Sequence, residues 1–251
     1  MLREELVFGP IYSRRLGSSL GINLLPEKGK LCNFDCIYCE CGWNKDGHDD
    51  STLPTAVQLE RALEEKLRDA AGKGLRIDSI TFSGDGEPTL NPDFPQIIDT
   101  TLRLRDLYYP HALVSVLSNA TRVGRKAVFD ALRRVDNPIL KLDAPTNELA
   151  GKVNQPSCHY DVSQIVEDLS RFEGDFILQT MFLRAPDFDS SSPEVLKPWM
   201  DIVRRLHPRK VMVYTIDRET PRKGLEKFTG EEMAALVRPL VEEGFDIQIN
   251  G

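Results

Sequence analysis

The stretch Leu31–Gly42, LCNFDCIYCECG, constrains this chain more than any other, because it carries four of the five cysteines. Three of them fall at the spacing Cys32-x3-Cys36-x2-Cys39. A chain reaches at most roughly 3.5 Å per residue, so three thiolates so close in sequence can close on one inorganic centre only through a tight loop. A [4Fe–4S] cube usually takes four thiolates, and three would leave one iron open to another ligand. Clustered cysteines outside a secretory context suggest metal or redox chemistry in a reducing compartment, not disulfides.

The remaining bounds are those of an ordinary globular protein. Of 251 residues, 41% are hydrophobic and 28% charged, and the net charge of −7 argues against a generally polyanion-binding surface. The start, MLREELVFGP, has no apolar core of a secretory signal, and no run approaches a membrane span. A cytoplasmic location without membrane attachment is expected.

Along the chain, β-type and α-type segments alternate about six times. Strands are expected over 19–25, 77–82, 112–117, 138–142, 175–183 and 210–216, with a last short one over 245–250. Helices are expected over 55–71, 94–107, 126–135, 162–172, 193–206 and 230–243. Short Val-, Ile- and Leu-rich strands of this kind imply parallel strands covered on both faces, in a barrel or a doubly wound sheet. Nothing reads as a separate module, so residues 1–251 are expected to form one domain, with 1–25 as lead-in and first strand and 26–50 as the loop region. In either architecture the polar residues after each strand gather at one edge, where sites are built. Those residues are the cysteine loop, Gly84-Asp85-Gly86-Glu87, Ser118-Asn119, Lys141 with Asp143, the neighbourhood of Gln179, and Tyr214 to Arg218.

Cys32-x3-Cys36-x2-Cys39, with the aromatic Tyr38 before its last cysteine, resembles the radical S-adenosylmethionine (SAM) superfamily. The resemblance implies a partial (β/α)6 TIM-type barrel over nearly the whole chain. It also implies a [4Fe–4S] cluster on Cys32, Cys36 and Cys39, with the amino and carboxylate groups of SAM on the open iron. SGDGEP is similar to the family's glycine-rich acidic turn, which holds the methionine amino group; Asp85 stands where the first glycine of Gly-Gly-Glu is usual. Tyr38 is expected near the adenine, and Ser118, Asn119, Lys141 and Asp143 at the ribose or carboxylate. GPIYSRRLGSSLGIN, FSGDGEPTL and KLDAP are similar to the wyosine-synthase-like branch, which includes tRNA-modifying enzymes. The activity implied is reductive cleavage of SAM to a 5′-deoxyadenosyl radical that takes hydrogen from a substrate. An external donor such as flavodoxin or ferredoxin would supply the electron.

Alternatives remain at the level of residues. Cys41 reads as a thiol without a ligand role; as a fourth ligand it would block SAM and make an electron carrier. Cys41 or His48 could instead complete a structural zinc site with the three cysteines. Cys158 and His159 read as bystanders. Among enzymes, a glycyl-radical-enzyme activase shares the spacing and would act on a protein or peptide. Arg14, Arg15, Arg122, Arg125, Lys126, Arg133 and Arg134 could form a basic face for tRNA.

Overall fold

Strands such as Ser79–Phe82, every residue of which is buried, are covered on both faces, as parallel strands of an α/β fold are. The computed structural model describes residues 5–13, 16–26, 29–46 and 52–251. Arg14, Arg15, Glu27, Lys28 and His48 lie outside the described residues. By its internal contacts the chain forms two compact units. The first comprises residues up to Cys32, Asn44–Ser118 and Gly124–Pro138; the second comprises Asn33–Trp43, Asn119–Val123 and Ile139–Gly251.

In the first unit, β1 (Val7–Ser13) runs antiparallel to β2 (Gly17–Ile22), with an irregularity between Phe8 and Ile11. Helix α1 (Ala56–Gly72) follows, then β3 (Ser79–Phe82), α2 (Phe94–Tyr108), β4 (Leu113–Ser118) and α3 (Lys126–Leu132). β2, β3 and β4 are parallel, pairing Ile22 with Phe82 and Phe82 with Val116. α1 buries Leu59, Leu63 and Leu67, one row of side chains at a spacing of four. Its start is fixed by a capping box in which Thr55 and Gln58 satisfy each other's backbone amides. Because the three strands are parallel, Asn23, the Gly84–Glu87 turn and Ser118 emerge at one edge.

The second unit takes residues 139–141 of β5 (Asn137–Lys141), then α4 (Asn147–Val153), α5 (Val162–Ser170) and β6 (Ile177–Met181). After β7 (Leu183–Ala185) and β8 (Phe188–Asp189) come α6 (Pro193–Leu206), β9 (Lys210–Tyr214), β10 (Glu226–Lys227), α7 (Gly230–Glu242) and β11 (Ile247–Asn250). β5, β6, β9 and β11 are parallel in that order, with Ile139 opposite Ile177 and Ile247 opposite Val211. β10, β7 and β8 make a small antiparallel sheet. Trp199 of α6 anchors this core, packing edge-on to Phe182 at 5.3 Å while its indole N–H donates to Thr180 at 3.0 Å. Lys141, Asp143, Met181 and Tyr214 share the strand-end edge.

The alternation read from sequence is therefore present, with corrections at its margins. β1 pairs in front of the strand expected first, and the segment expected over 175–183 is β6 followed by the separate β7. The helix expected over 126–135 stops at Leu132, and α4 was not anticipated. No helix among the described residues is long and apolar enough to cross a membrane.

Candidate functional site

The cysteine loop is divided between the units: Cys32 belongs to the first, and Cys36, Cys39 and Cys41 to the second. In the first unit, the residue before Cys32 is clamped to the acidic turn. Leu31 N–H donates to the Asp85 carbonyl at 3.0 Å, and Glu87 N–H donates to the Leu31 carbonyl at 3.1 Å. The glycines make this approach possible. A Cβ on Gly86, whose φ is +143°, would lie 1.9 Å from the Leu31 carbonyl oxygen, and one on Gly84 would lie 2.0 Å from Asn23 Oδ1. Both are far inside van der Waals contact.

The carboxylates of the turn are engaged internally. Asn23 Oδ1 accepts from Asp85 N–H at 3.1 Å, and Asn23 Nδ2 donates to Asp85 Oδ2 at 3.3 Å. Glu87 Oε1 accepts from Thr89 N–H at 3.1 Å, Thr89 Oγ1 at 2.5 Å and Ser118 Oγ at 2.8 Å. Both carboxylates are buried. Asp85, in the position where the family pattern has glycine, thus ties the turn to the end of β2 through Asn23, a residue the sequence reading did not single out.

In the second unit, the loop is docked on the end of α4. Asp35 N–H donates to the Asn154 carbonyl at 2.9 Å and Ile37 N–H to the Val153 carbonyl at 3.0 Å; Ser157 N–H donates to the Asn33 carbonyl at 3.0 Å. Tight turns follow, with Cys39 N–H on the Cys36 carbonyl and Gly42 N–H on the Cys39 carbonyl, each 3.0 Å. Asn33 is held by side chains as well: its Oδ1 accepts from Asn119 Nδ2 at 2.7 Å, and its Nδ2 donates to Thr121 Oγ1 at 2.7 Å.

Tyr38, Lys141 and Asp143 come together around Cys36, and Asn154 joins them. Lys141 Nζ donates to Tyr38 Oη at 2.8 Å and to Tyr214 Oη at 2.7 Å. Tyr38 Oη donates to Asp143 Oδ2, which also accepts from Asn154 Nδ2 at 2.6 Å, while Asp143 Oδ1 accepts from Met181 N–H at 2.9 Å. Asn154 Nδ2 further donates to Cys36 Sγ at 3.3 Å. The Asp143 side chain is fully buried and that of Lys141 is 17% exposed, so the pair is a partly desolvated charge held by hydroxyl and amide donors.

Electrostatics follow from this burial. Burial pushes the Cys36 thiol up to about 11, and the charges of Asp143 and Cys39 add to the rise while Lys141 opposes it. Burial and Asp143 together hold the Tyr38 phenol well above its ordinary value. Burial works against the Lys141 ammonium, yet Asp143 and then Tyr214 outweigh it, and its pKa is raised.

Other expected residues are less central. Cys41 is half-buried, and Cys158 and His159 are exposed. Lys126 pairs with Asp130 at 2.6 Å and Arg134 with Asp99, which neutralises part of the candidate basic face.

The profile describing the radical SAM superfamily matches residues 27–184. The chain belongs to the radical SAM superfamily. That superfamily works with a [4Fe–4S] cluster and SAM. Over 236 residues this radical SAM chain is 30% identical to a protein named GTPase Obg from Brachyspira hyodysenteriae, covering 92% of this chain and 33% of that protein. A UPF0026 protein of Methanocaldococcus jannaschii is 27% identical over 215 residues, 84% of this chain and 63% of its own length. The chain thus spans less than two thirds of either relative.

Among solved structures, a radical SAM methyltransferase from Sphaerobacter thermophilus superposes with a TM-score of 0.68 at 16% identity, covering 92% of this chain and 66% of that one. Streptococcus suis SuiB bound to S-adenosylmethionine gives 0.64 at 15%, covering 89% and 49%. Archaeal TYW1 gives 0.55 at 13%, covering 89% and 71%. At these identities the likeness is one of fold, the α/β radical SAM core built on parallel strands.

The donor chemistry fits a cluster. Cys32, Cys36 and Cys39 offer soft sulfur donors on a loop braced by backbone hydrogen bonds, and Cys36 Sγ accepts an amide hydrogen bond of the kind that would support a cluster sulfur. Among the described residues no three His, Cys, Asp or Glu side chains converge tightly enough to hold a metal as they stand. The fit therefore lies in ligand type, spacing and support.

Proposed function

We propose that this chain is a radical SAM enzyme that cleaves SAM reductively and abstracts hydrogen from its substrate. The single observation carrying this reading is the joining of Cys36 to Tyr38, Lys141 and Asp143 through Asn154, which puts a cluster ligand and candidate SAM contacts in one buried network. Cys32, Cys36 and Cys39 would hold the cluster. When bound, cluster and SAM supply a 5′-deoxyadenosyl radical.

The chain's own residues orient and enclose. The Gly84–Glu87 turn, pinned by Asn23 and Leu31, offers a rigid acceptor-rich surface suited to an ammonium group. Lys141 supplies a positive charge, which suits a carboxylate, and the two tyrosine hydroxyls hold that charge in place. Asn119, fixed through Asn33 and Thr121, and Ser118 are proposed as polar contacts to a ribose. An external reductant and a substrate complete the reaction.

The test is chemical. Full-length protein purified without oxygen should be brown and contain iron and sulfide, and replacement of Cys32, Cys36 or Cys39 by Ala should remove both. A colourless protein with full zinc occupancy would overturn the reading in favour of a structural metal. Cys41→Ser should leave iron and sulfide unchanged; loss of the cluster would make Cys41 a ligand and deny SAM its open iron.

A further inference from the structure

Asn154 is a buried residue whose side chain donates to Cys36 Sγ although it lies 118 residues further along the chain. It sits at the end of α4, 1% exposed, with its side-chain amide between two acceptors. Nδ2 is 2.6 Å from Asp143 Oδ2 and 3.3 Å from Cys36 Sγ. A primary amide has two N–H donors, so one can serve each acceptor. Asp143 is itself immobilised by Met181 N–H and Tyr38 Oη, and the Asn154 carbonyl is held by Asp35 N–H at 2.9 Å. Backbone and side chain of Asn154 therefore grip the cysteine loop together, and the amide has its orientation set before any metal arrives.

We propose that Asn154 is a positioning residue that fixes Cys36 and sets the reduction potential of the cluster through an N–H···S hydrogen bond. The inference rests on the proposed cluster at Cys36. A donor aimed at a thiolate draws off negative charge and so favours the more negative, reduced cluster; hydrogen bonds to the sulfurs are among the main determinants of such potentials. Removing the donor shifts the midpoint to a more negative value and makes reduction harder. The same amide reaches the Tyr38–Lys141 chain through Asp143, so the ligand and that chain are held in one register.

The experiment is a redox titration, followed by electron paramagnetic resonance, of the anaerobically reconstituted full chain and its Asn154→Leu variant without SAM. Leucine matches asparagine in shape and carries no donor. The expected result is equal iron and sulfide with a more negative midpoint in the variant. An unchanged midpoint at full iron content overturns the proposal while leaving the enzyme assignment intact. A wild-type chain without iron overturns both. Should the variant fail to take up a cluster, wild type labelled with 15N only in its asparagine side-chain amides decides the matter. Pulsed resonance of the reduced cluster should then detect coupling to an amide nitrogen, and no coupling overturns the proposal.

Discussion

Glu87 Oε1 and each glycine of its turn are constrained by named neighbours, so single substitutions there have predictable costs. Gly86→Ala must push its methyl into the Leu31 carbonyl at a φ that disfavours side chains, and Gly84→Ala must displace Asn23. Each should lose about 2 kcal/mol or more of stability, read by denaturant melts, because strain of this kind costs on the order of 1–3 kcal/mol. Glu87→Ala removes an acceptor shared by Thr89 N–H, Thr89 Oγ1 and Ser118 Oγ and should cost roughly 3 kcal/mol, whereas Glu87→Gln keeps an oxygen and should cost less. In Glu87→Ala, SAM affinity should fall while cluster colour stays; unchanged affinity in calorimetric titration would remove Glu87 from the site. The motif residues were legible because their spacing is local. Asn23 and Asn154 were not, because their partners lie 62 and 118 residues away and a lone asparagine carries no sequence signal.

At the scale of elements, the helices that bear on the loop are set by their caps. α4 has only seven residues, too few for a periodic apolar pattern, and this is why NELAGKV passed unread. Its start is held by Thr146, whose hydroxyl accepts from Leu149 N–H at 3.3 Å. Thr146→Ala should cost about 1 kcal/mol. Because α4 docks Asp35 and Ile37, the cluster should also leave that variant faster under a chelator; an unchanged loss rate would detach α4 from loop support. α7 offers a pH test. Glu232 lies below its ordinary pKa because Thr229 N–H and then Arg184 donate to it. Its contribution is complete above the usual glutamate pKa of about 4.3 and is lost as pH falls through the lower folded value. Glu232→Gln should therefore destabilise at pH 7, with the difference from wild type closing in acid. β1 escaped notice because Gly9 and Pro10 interrupt an otherwise strand-like VFGPIYS.

For the molecule as a whole, the β–α alternation was readable because parallel strands are continuous apolar runs, as in β3 and β6, where every residue is buried. Superfamily membership was readable because Cys32-x3-Cys36-x2-Cys39 is a distinctive local spacing. Substrate identity is a property of surfaces rather than of motifs, and the basic residues considered for tRNA are partly neutralised by acidic neighbours. The central claim is that the three cysteines support SAM cleavage. It is tested most directly by incubating the anaerobically reconstituted full chain with SAM and a strong reductant, then quantifying 5′-deoxyadenosine and methionine by chromatography and mass spectrometry. Both products are expected, dependent on the reductant and absent from the Cys36→Ala variant. A fully loaded cluster that yields neither product, or equal yields from wild type and that variant, would contradict it.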